Sequence, residues 1–192
     1  VGLLDRVVAF CEQYGYTYEF RDNKFYGLPY EENEEISPIG VTDWVKSITS
    51  YKPRDYQLHG IYTALKSNRT LIVSPTASGK SLMIYAIVAY YAQRKENILI
   101  VVPTTSLVEQ MYKDFEDYGF DVCSYCHKIY GGKELHSDKQ VTITTWQSIY
   151  KLPKPFFQKF NVVIGDEDHN FKSKRWNTNK QTSTRRSLWT SI

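Results

Sequence analysis

The stretch LIVSPTASGKS, from Leu71 to Ser81, runs from an apolar strand pattern into a loop that ends in Gly79, Lys80 and Ser81. A strand followed by such a loop and a helix directs backbone N–H groups and the positive end of the helix at one point. We therefore predict a polyphosphate site, in which Lys80 reaches the β- and γ-phosphates and the Ser81 hydroxyl binds Mg²⁺. The general phosphate-loop pattern has a glycine where this chain has Ser74, so a strand-to-helix turn with a chance lysine is the alternative.

Strand and helix patterns alternate along the chain from Thr70 onward. The spacing of apolar residues predicts helices over 80–94 and 106–118. The predicted strands are TLIVSPT, NILIVVPT, DVCSYCH, VTITTW and FNVVIGDED. Apolar strands separated by helices are typical of a parallel sheet that is covered on both faces. The predicted fold class is α/β, with a parallel sheet flanked by helices.

Two carboxylates follow the last of these strand patterns, at residues 166 and 167. Ligands of open α/β sheets bind at the carboxyl ends of strands, so we expect this segment beside the phosphate loop. A nucleotide triphosphatase holds Mg²⁺ through one acid and orients the attacking water with another group. We assign Asp166 as the Mg²⁺ partner and Glu167 as the general base. An ordinary acidic turn after a strand is the alternative.

The part of the chain before the phosphate loop has a different pattern. LLDRVVAFCEQYG has apolar residues at helical spacing and precedes an alternating aromatic strand, YTYEF. The acidic segment YEENEEISPIG contains Ser-Pro and Gly, which is typical of a linker. A helix is predicted from Thr42, its expected N-cap, and Pro53 is expected to start another.

The charge of the chain is nearly balanced but unevenly distributed. A net charge of +3 is too small to indicate a nucleic-acid binder by itself. Residues 1–50 carry nine acids and four bases, whereas residues 169–192 carry six bases and no acid. That basic tail could contact phosphates, although a solvated, disordered tail is the simpler interpretation.

Neither a membrane partner nor export is expected, because no apolar run reaches roughly 20 residues and no basic and apolar signal begins the chain. Three cysteines, an odd number, fit a reducing compartment such as the cytoplasm. CSYCH, from Cys123 to His127, matches the c-type haem pattern and offers three metal ligands. Covalent haem needs export and zinc needs a fourth ligand, for which only His136 is near, so neither haem nor zinc is expected.

The two predicted sites belong to a series of motifs that resembles the superfamily-2 helicases and translocases over residues 50–170. PTASGKS is similar to their motif I, VVPTTSLVEQM to motif Ia, TTWQS to the Thr-x-Gln segment and DEDH to the D-E-x-H box. The resemblance implies a RecA-like phosphate-loop lobe that uses ATP and Mg²⁺. It assigns the nucleotide to Pro75, Thr76, Ala77, Ser78, Gly79, Lys80 and Ser81.

The same resemblance assigns further residues. KPRDYQ is similar to the element that recognises adenine, through Arg54 and Gln57, and His169 is implied to link the nucleotide site to the nucleic-acid face. Nucleic acid in this family is held by hydroxyl and main-chain N–H groups. The residues implied for DNA contacts are Thr104, Thr105, Gln110, Thr145 and Gln147. For the threonines, helix capping is the alternative.

The opening segment GLLDRVVAFCEQYGY and the acidic linker resemble a phage branch of the family that unwinds and remodels branched DNA. The implied function is an ATP-dependent DNA helicase or translocase in phage recombination, replication and repair, in the host cytoplasm. The implied domains are part of a small DNA-binding domain over 1–30, an acidic linker and connecting helix over 31–50, an incomplete first motor lobe over 51–169 and an unpatterned basic tail over 170–192. The second motor lobe is expected as a missing partner.

The chain departs from the family pattern in two places. Ala77 stands where many relatives have glycine, which is expected to cost little. Motif III is missing after His169, and in the family its strand lies between those of motifs I and II, so we expect a gap in the sheet. We interpret the tail as the product of a changed or truncated reading frame. The alternative functions are a nucleotide- and DNA-binding fragment without turnover and the motor subunit of a restriction enzyme.

Overall fold

Residues 4–17, 32–67, 69–75, 77–131, 137–166 and 186–191 are described by the computed structural model of this chain. The chain divides into two compact units, Val1–Glu31 and Glu32–Ile192. In the first unit the predicted helix is confirmed as α1 (Leu4–Tyr14), and only Tyr16 and Thr17 of the predicted aromatic strand belong to the described residues. No helix in the described ranges is long and apolar enough to cross a membrane.

In its described residues, the second unit contains seven helices: α2 (Pro38–Ile48), α3 (Asp55–Ser67), α4 (Lys80–Gln93), α5 (Thr105–Asp117), α6 (Val122–Tyr125), α7 (Trp146–Ile149) and α8 (Lys154–Gln158). Helix α2 begins earlier than predicted. Ser37 is its N-cap, because the Ser37 hydroxyl accepts a hydrogen bond from the Gly40 N–H at 3.1 Å and Pro38 occupies the first turn. The predicted cap at Thr42 is wrong, since its hydroxyl donates to the Pro38 carbonyl from within the helix at 2.9 Å. Ser-Pro in the acidic segment therefore marks a helix start.

The described part of the chain forms a sheet of six parallel strands: β1 (Arg69–Val73), β2 (Ile98–Val102), β3 (Cys126–Ile129), β4 (Val141–Thr145), β5 (Val162–Gly165) and β6 (Arg186–Ser191). Their order across the sheet is β1-β6-β5-β2-β4-β3. The predicted parallel α/β sheet is confirmed. Because all six strands run in one direction, their carboxyl ends meet at one edge.

The expected gap in this sheet is wrong. β6 lies between β1 and β5 and pairs with both, so that Val73 is level with Ser191 and Gly165 with Trp189. The segment RSLWTS contains leucine, tryptophan and threonine, which fit a pleated strand between two neighbours. We interpret the tail as the product of a changed reading frame because its sequence lacks an α/β pattern. That reason does not hold for Arg186–Ser191, which form a strand of the sheet.

The segment DVCSYCH is only partly the predicted strand. Asp121 caps the single helical turn α6, because its carboxylate accepts a hydrogen bond from the Ser124 N–H at 3.1 Å. The strand begins only at Cys126. An aspartate that satisfies nearby backbone N–H groups competes with extended structure, which explains the difference.

Both faces of the central strands are covered. β2 and β4 are buried along their whole length, and α4 is buried from Leu82 to Ala92. On one face Ile100 packs in a cluster with residues of α4 and α5, and on the other Val101 packs in a cluster with Phe157 of α8. This two-sided core fixes the strand ends from which the candidate site residues project.

Candidate nucleotide and nucleic-acid site

The phosphate loop connects β1 to α4 through two residues with left-handed backbone. Gly79, the N-cap of α4, has φ 73° and ψ 40°, and Ala77 has φ 61°. This conformation costs a residue with a Cβ roughly 1–2 kcal/mol. The expectation that Ala77 costs little is therefore wrong, because glycine alone adopts this φ without penalty. Strain of this kind is typical of loops that present backbone N–H groups to an anion.

The Lys80 ammonium group lies within the loop. Its Nζ donates a hydrogen bond to the Ser74 carbonyl oxygen at 3.2 Å. Ser74 and Ser78 are buried, and their hydroxyl oxygens are 2.5 Å apart. Ser74, which replaces the glycine of the general pattern, thus closes the base of the loop with its side chain. A phosphate oxygen would be a stronger, charge-assisted partner for Lys80 than this carbonyl.

The start of α3 holds the same loop in place. Gln57 is buried, and its amide oxygen accepts a hydrogen bond from the Arg54 N–H at 2.8 Å. Its amide nitrogen donates to the carbonyl oxygens of Ser78 and Gly79 at 2.9 and 3.3 Å. The Tyr56 hydroxyl also donates to the Ser78 carbonyl, at 2.8 Å. Gln57 therefore fastens the loop here, whereas the resemblance assigned it to adenine.

A cleft of about 640 Å³ opens between this loop, β1 and α3. Its walls include four residues of the predicted nucleotide set: Arg54, Pro75, Ala77 and Ser78. Tyr56 and His59 of α3 line it as well, although the sequence did not single out Tyr56. The volume lies in the range of small-molecule sites. The structure thus brings Arg54 and the phosphate loop to one opening.

Asp166 follows β5 at the same edge of the sheet. Its N–H donates to the Val101 carbonyl at 3.0 Å, which extends the pairing of β5 with β2. One strand separates β5 from β1, so the ends of these strands lie about 10 Å apart. The Ser81 hydroxyl and the Asp166 carboxylate are oxygen ligands of the kind that Mg²⁺ prefers, so the donor set fits this ion. Thr76, Glu167 and His169 lie outside the described residues.

The Ser81 hydroxyl has a partner at the C-cap of α5. Its oxygen is 2.9 Å from the Tyr118 hydroxyl oxygen. Burial raises the pKa of Asp114, and an interaction with Ser81 opposes that rise. Burial also raises the pKa of Tyr118. Sequence reasoning missed both residues, which share no motif and are related only by helical spacing.

The predicted DNA contacts divide into exposed and buried side chains. Those exposed, at or after the ends of β2 and β4, are Thr104, Thr105, Gln110 and Gln147. Thr104 is also the N-cap of α5, because its hydroxyl accepts a hydrogen bond from the Leu107 N–H at 3.3 Å. Thr145 is only 3% exposed, and its hydroxyl oxygen is 2.9 Å from that of Ser148. Its side chain therefore lies in the core.

The cysteine segment contains free thiols. Cys123 is exposed, Cys126 is buried, and burial raises the pKa of the Cys126 thiol to about 12. Within the described ranges no group of three or more histidine, cysteine or acidic side chains is placed to hold a metal ion. His136 lies outside those ranges.

Comparison with known proteins identifies relatives of this lobe. The family model described as Type III restriction enzyme, res subunit, matches residues 50–188. The ATP-dependent DNA helicase uvsW of Enterobacteria phage T4 is 32% identical over 179 aligned residues, and the match covers 88% of this chain and 34% of that protein. The DNA 3'-5' translocase XPB2 of Sulfurisphaera tokodaii is 31% identical over 157 residues, which are 82% of this chain and 34% of that protein. This chain spans about a third of the length of these relatives.

A solved structure agrees with these matches. The crystal structure of the UvsW helicase from bacteriophage T4 has a TM-score of 0.81 and 28% identity, over 99% of this chain and 70% of that one. The predicted RecA-like lobe and the resemblance to the superfamily are confirmed. The chain belongs to the Type III restriction enzyme res-subunit family, among the superfamily-2 helicases.

Proposed function

We propose that this chain is the ATP-binding lobe of an ATP-dependent DNA helicase or translocase. The loop after β1 carries the proposal. The Lys80 ammonium group donates a hydrogen bond to a carbonyl of this loop, and the Gln57 amide fastens the loop to α3. Asp166 follows β5, which lies two strands from β1 in the sheet. Family membership supports the use of ATP. Its relatives are named as a DNA helicase and a DNA translocase, which supports DNA as the substrate. We further propose branched DNA in phage recombination, replication and repair, on the resemblance of the opening segment.

Each residue has a distinct proposed role. The loop N–H groups and Lys80 bind the β- and γ-phosphates, and Ser81 and Asp166 hold Mg²⁺. The ion supplies positive charge that offsets the charge of the phosphates. Glu167 accepts the proton of the attacking water, and His169 connects the nucleotide to the nucleic-acid face. The adenine base of the nucleotide is proposed to lie against the wall of the cleft that Arg54 forms.

Binding of a fluorescent ADP analogue to the 192-residue chain with Mg²⁺ tests the nucleotide site. Lys80→Ala should weaken binding about 10- to 100-fold, because it removes a charge-assisted contact to phosphate. Lys46→Ala is the matched control, since Lys46 is an exposed lysine on α2 and should leave the affinity unchanged. Equal affinities for the wild type and Lys80→Ala would refute the assignment.

The proposed DNA contact at Thr104 can be separated from its capping role. A hydroxyl that accepts the Leu107 N–H retains its own O–H for a phosphate oxygen. Thr104→Asn and Thr104→Asp both preserve an N-cap, but the aspartate adds a charge that repels phosphate. We expect Thr104→Asp to bind single-stranded DNA several-fold more weakly than Thr104→Asn, with unchanged thermal stability. Equal DNA affinities of the two variants would show that the DNA backbone does not contact residue 104.

Steady-state ATP hydrolysis separates the alternatives. Turnover that branched DNA stimulates and Glu167→Gln abolishes would show that this lobe works by itself. Lys80-dependent binding without turnover would indicate a binding fragment, since a missing arginine finger costs roughly 10³- to 10⁵-fold in rate. The family description favours the motor subunit of a restriction enzyme as a second candidate. Equal stimulation by linear and branched duplexes would favour that candidate.

A further inference from the structure

The hydroxyl of Ser81 is hydrogen-bonded to the residue that directly follows α5. Ser81 lies in the first turn of α4, and Tyr118 directly follows α5. The Ser81 and Tyr118 hydroxyl oxygens are 2.9 Å apart. Both side chains are partly buried.

The hydrogen bond between Ser81 and Tyr118 restrains the Ser81 side chain whichever hydroxyl donates. Each hydroxyl can donate or accept, and the Ser81 oxygen has two lone pairs. At least one lone pair is left on the Ser81 oxygen in either direction. Tyr118 can therefore hold the Ser81 hydroxyl while that oxygen binds a cation.

Tyr118 is itself held by its neighbours. The centroid of its ring lies 5.1 Å from that of Tyr51 and 5.4 Å from that of Tyr85. The Tyr85 hydroxyl donates to the Ile48 carbonyl at 2.7 Å, so Tyr85 is fixed as well. A ring packed on two sides presents its hydroxyl in one place without a further loss of side-chain entropy. The restraint on Ser81 is thus built into the packing of α4 against α5.

We propose that Tyr118 is a positioning residue that holds the Ser81 hydroxyl in the place in which it binds the Mg²⁺ of a bound nucleotide. The inference rests on the proposed function, in which Ser81 is a Mg²⁺ ligand. Hydrogen-bond partners of metal ligands typically change metal affinity 10- to 100-fold. Removal of the Tyr118 hydroxyl should therefore alter the Mg²⁺ requirement of nucleotide binding.

The test measures the Mg²⁺ concentration that gives half of the maximal binding of a fluorescent ADP analogue to the 192-residue chain. Tyr118→Phe keeps the ring and should raise this concentration about tenfold. Tyr85→Phe is the matched control, because it removes a hydroxyl from the same aromatic cluster without touching Ser81, and it should stay close to wild type. In EDTA all three proteins should bind ADP equally, since a general loss of structure would weaken that binding too.

Two further variants make the test decisive. Ser81→Ala should raise the Mg²⁺ requirement as well, and adding Tyr118→Phe to Ser81→Ala should raise it no further, because both act through one hydroxyl. Equal Mg²⁺ requirements for Tyr118→Phe and Tyr85→Phe, or an additive rise in the double variant, would overturn the positioning role while nucleotide binding stays intact. Absence of Lys80-dependent binding in the wild type would overturn the proposed function and this inference with it.

Discussion

Replacement of Gln57 by glutamate should loosen the phosphate loop, because the two side chains have the same shape and differ in one hydrogen-bonding group. The wild-type amide nitrogen donates to the carbonyl oxygens of Ser78 and Gly79 at 2.9 and 3.3 Å. In Gln57→Glu, an oxygen atom would face those two carbonyl oxygens. The side chain is only 6% exposed, so water has little access to relieve the repulsion.

The expected cost follows from these contacts. Two lost hydrogen bonds cost roughly 1 kcal/mol each, and the introduced carboxylate oxygen, which is buried there without a donor, adds about 1 kcal/mol or more. We therefore expect Gln57→Glu to lower the free energy of unfolding by about 3 kcal/mol near neutral pH. Protonation restores one donor, so the pKa of the introduced carboxyl group should rise above the roughly 4.3 of an exposed glutamate. The folded state then binds more protons than the unfolded state, and the stability of the variant falls as pH rises from about 4.3 through the raised pKa.

Urea unfolding at about pH 5 and pH 8, at fixed ionic strength, measures both effects. Tyr56→Phe is the matched control, because it removes a hydrogen bond to the same Ser78 carbonyl and introduces no acceptor. It should cost about 1 kcal/mol at either pH. A cost of Gln57→Glu below about 1 kcal/mol, and the same at both pH values, would refute the view that Gln57 fastens the loop.

The loop and the cysteine segment give three further predictions. Gly79→Ala should lower the free energy of unfolding by about 2 kcal/mol and weaken ADP binding, because φ is 73° and a Cβ would collide with the Gln57 amide. Urea unfolding measures the first effect and nucleotide titration the second. Wild-type values in both assays would contradict this prediction. Ala77→Val should destabilise the protein, whereas Ala77→Gly should be neutral or stabilise it by up to about 1 kcal/mol. Equal melting temperatures for the two variants would show that the φ of 61° at Ala77 carries no strain. A maleimide at about pH 8 should label Cys123 in the folded protein and Cys126 only after unfolding, because burial raises the pKa of Cys126 to about 12 and the thiolate is the reactive form. Rapid labelling of Cys126 in peptide mass spectra of the folded protein would contradict this.

The strands that carry the site were predictable because their apolar runs are continuous. ILIVV of β2 is buried at every position, so its sequence identifies it without reference to any neighbour. β6 was not predictable in this way, because its few strand-favouring residues stand in a basic, hydroxyl-rich segment. Its place between β1 and β5 comes from pairing with strands that lie earlier in the chain. Such pairing is a tertiary effect that local pattern does not record.

The position of the phosphate loop between β1 and α4 was predictable from the sequence, but the contacts of its side chains were not. The spacing of Lys80 from the preceding strand was sufficient to expect it in a phosphate loop, and the structure puts its ammonium group there. The partner of Ser81 could not be inferred, because Tyr118 follows a helix that the motifs tie to nucleic acid. The contacts of Gln57 with the loop could not be inferred for a similar reason, since they depend on how α3 packs against the loop.

The sequence leaves helix capping and DNA binding as alternatives for the threonines, and the number of hydrogen bonds that each hydroxyl can make limits which of them could do both. Thr104 is exposed and uses its oxygen as the acceptor for Leu107, so it can cap α5 and still donate to a phosphate. Thr145 also stands at the end of a strand, β4, but its side chain is buried. Its hydroxyl is hydrogen-bonded within the protein, to the Ser148 hydroxyl of α7. Of these two strand ends, the one after β2 therefore exposes a threonine for the proposed DNA contact, and the one after β4 exposes Gln147 instead.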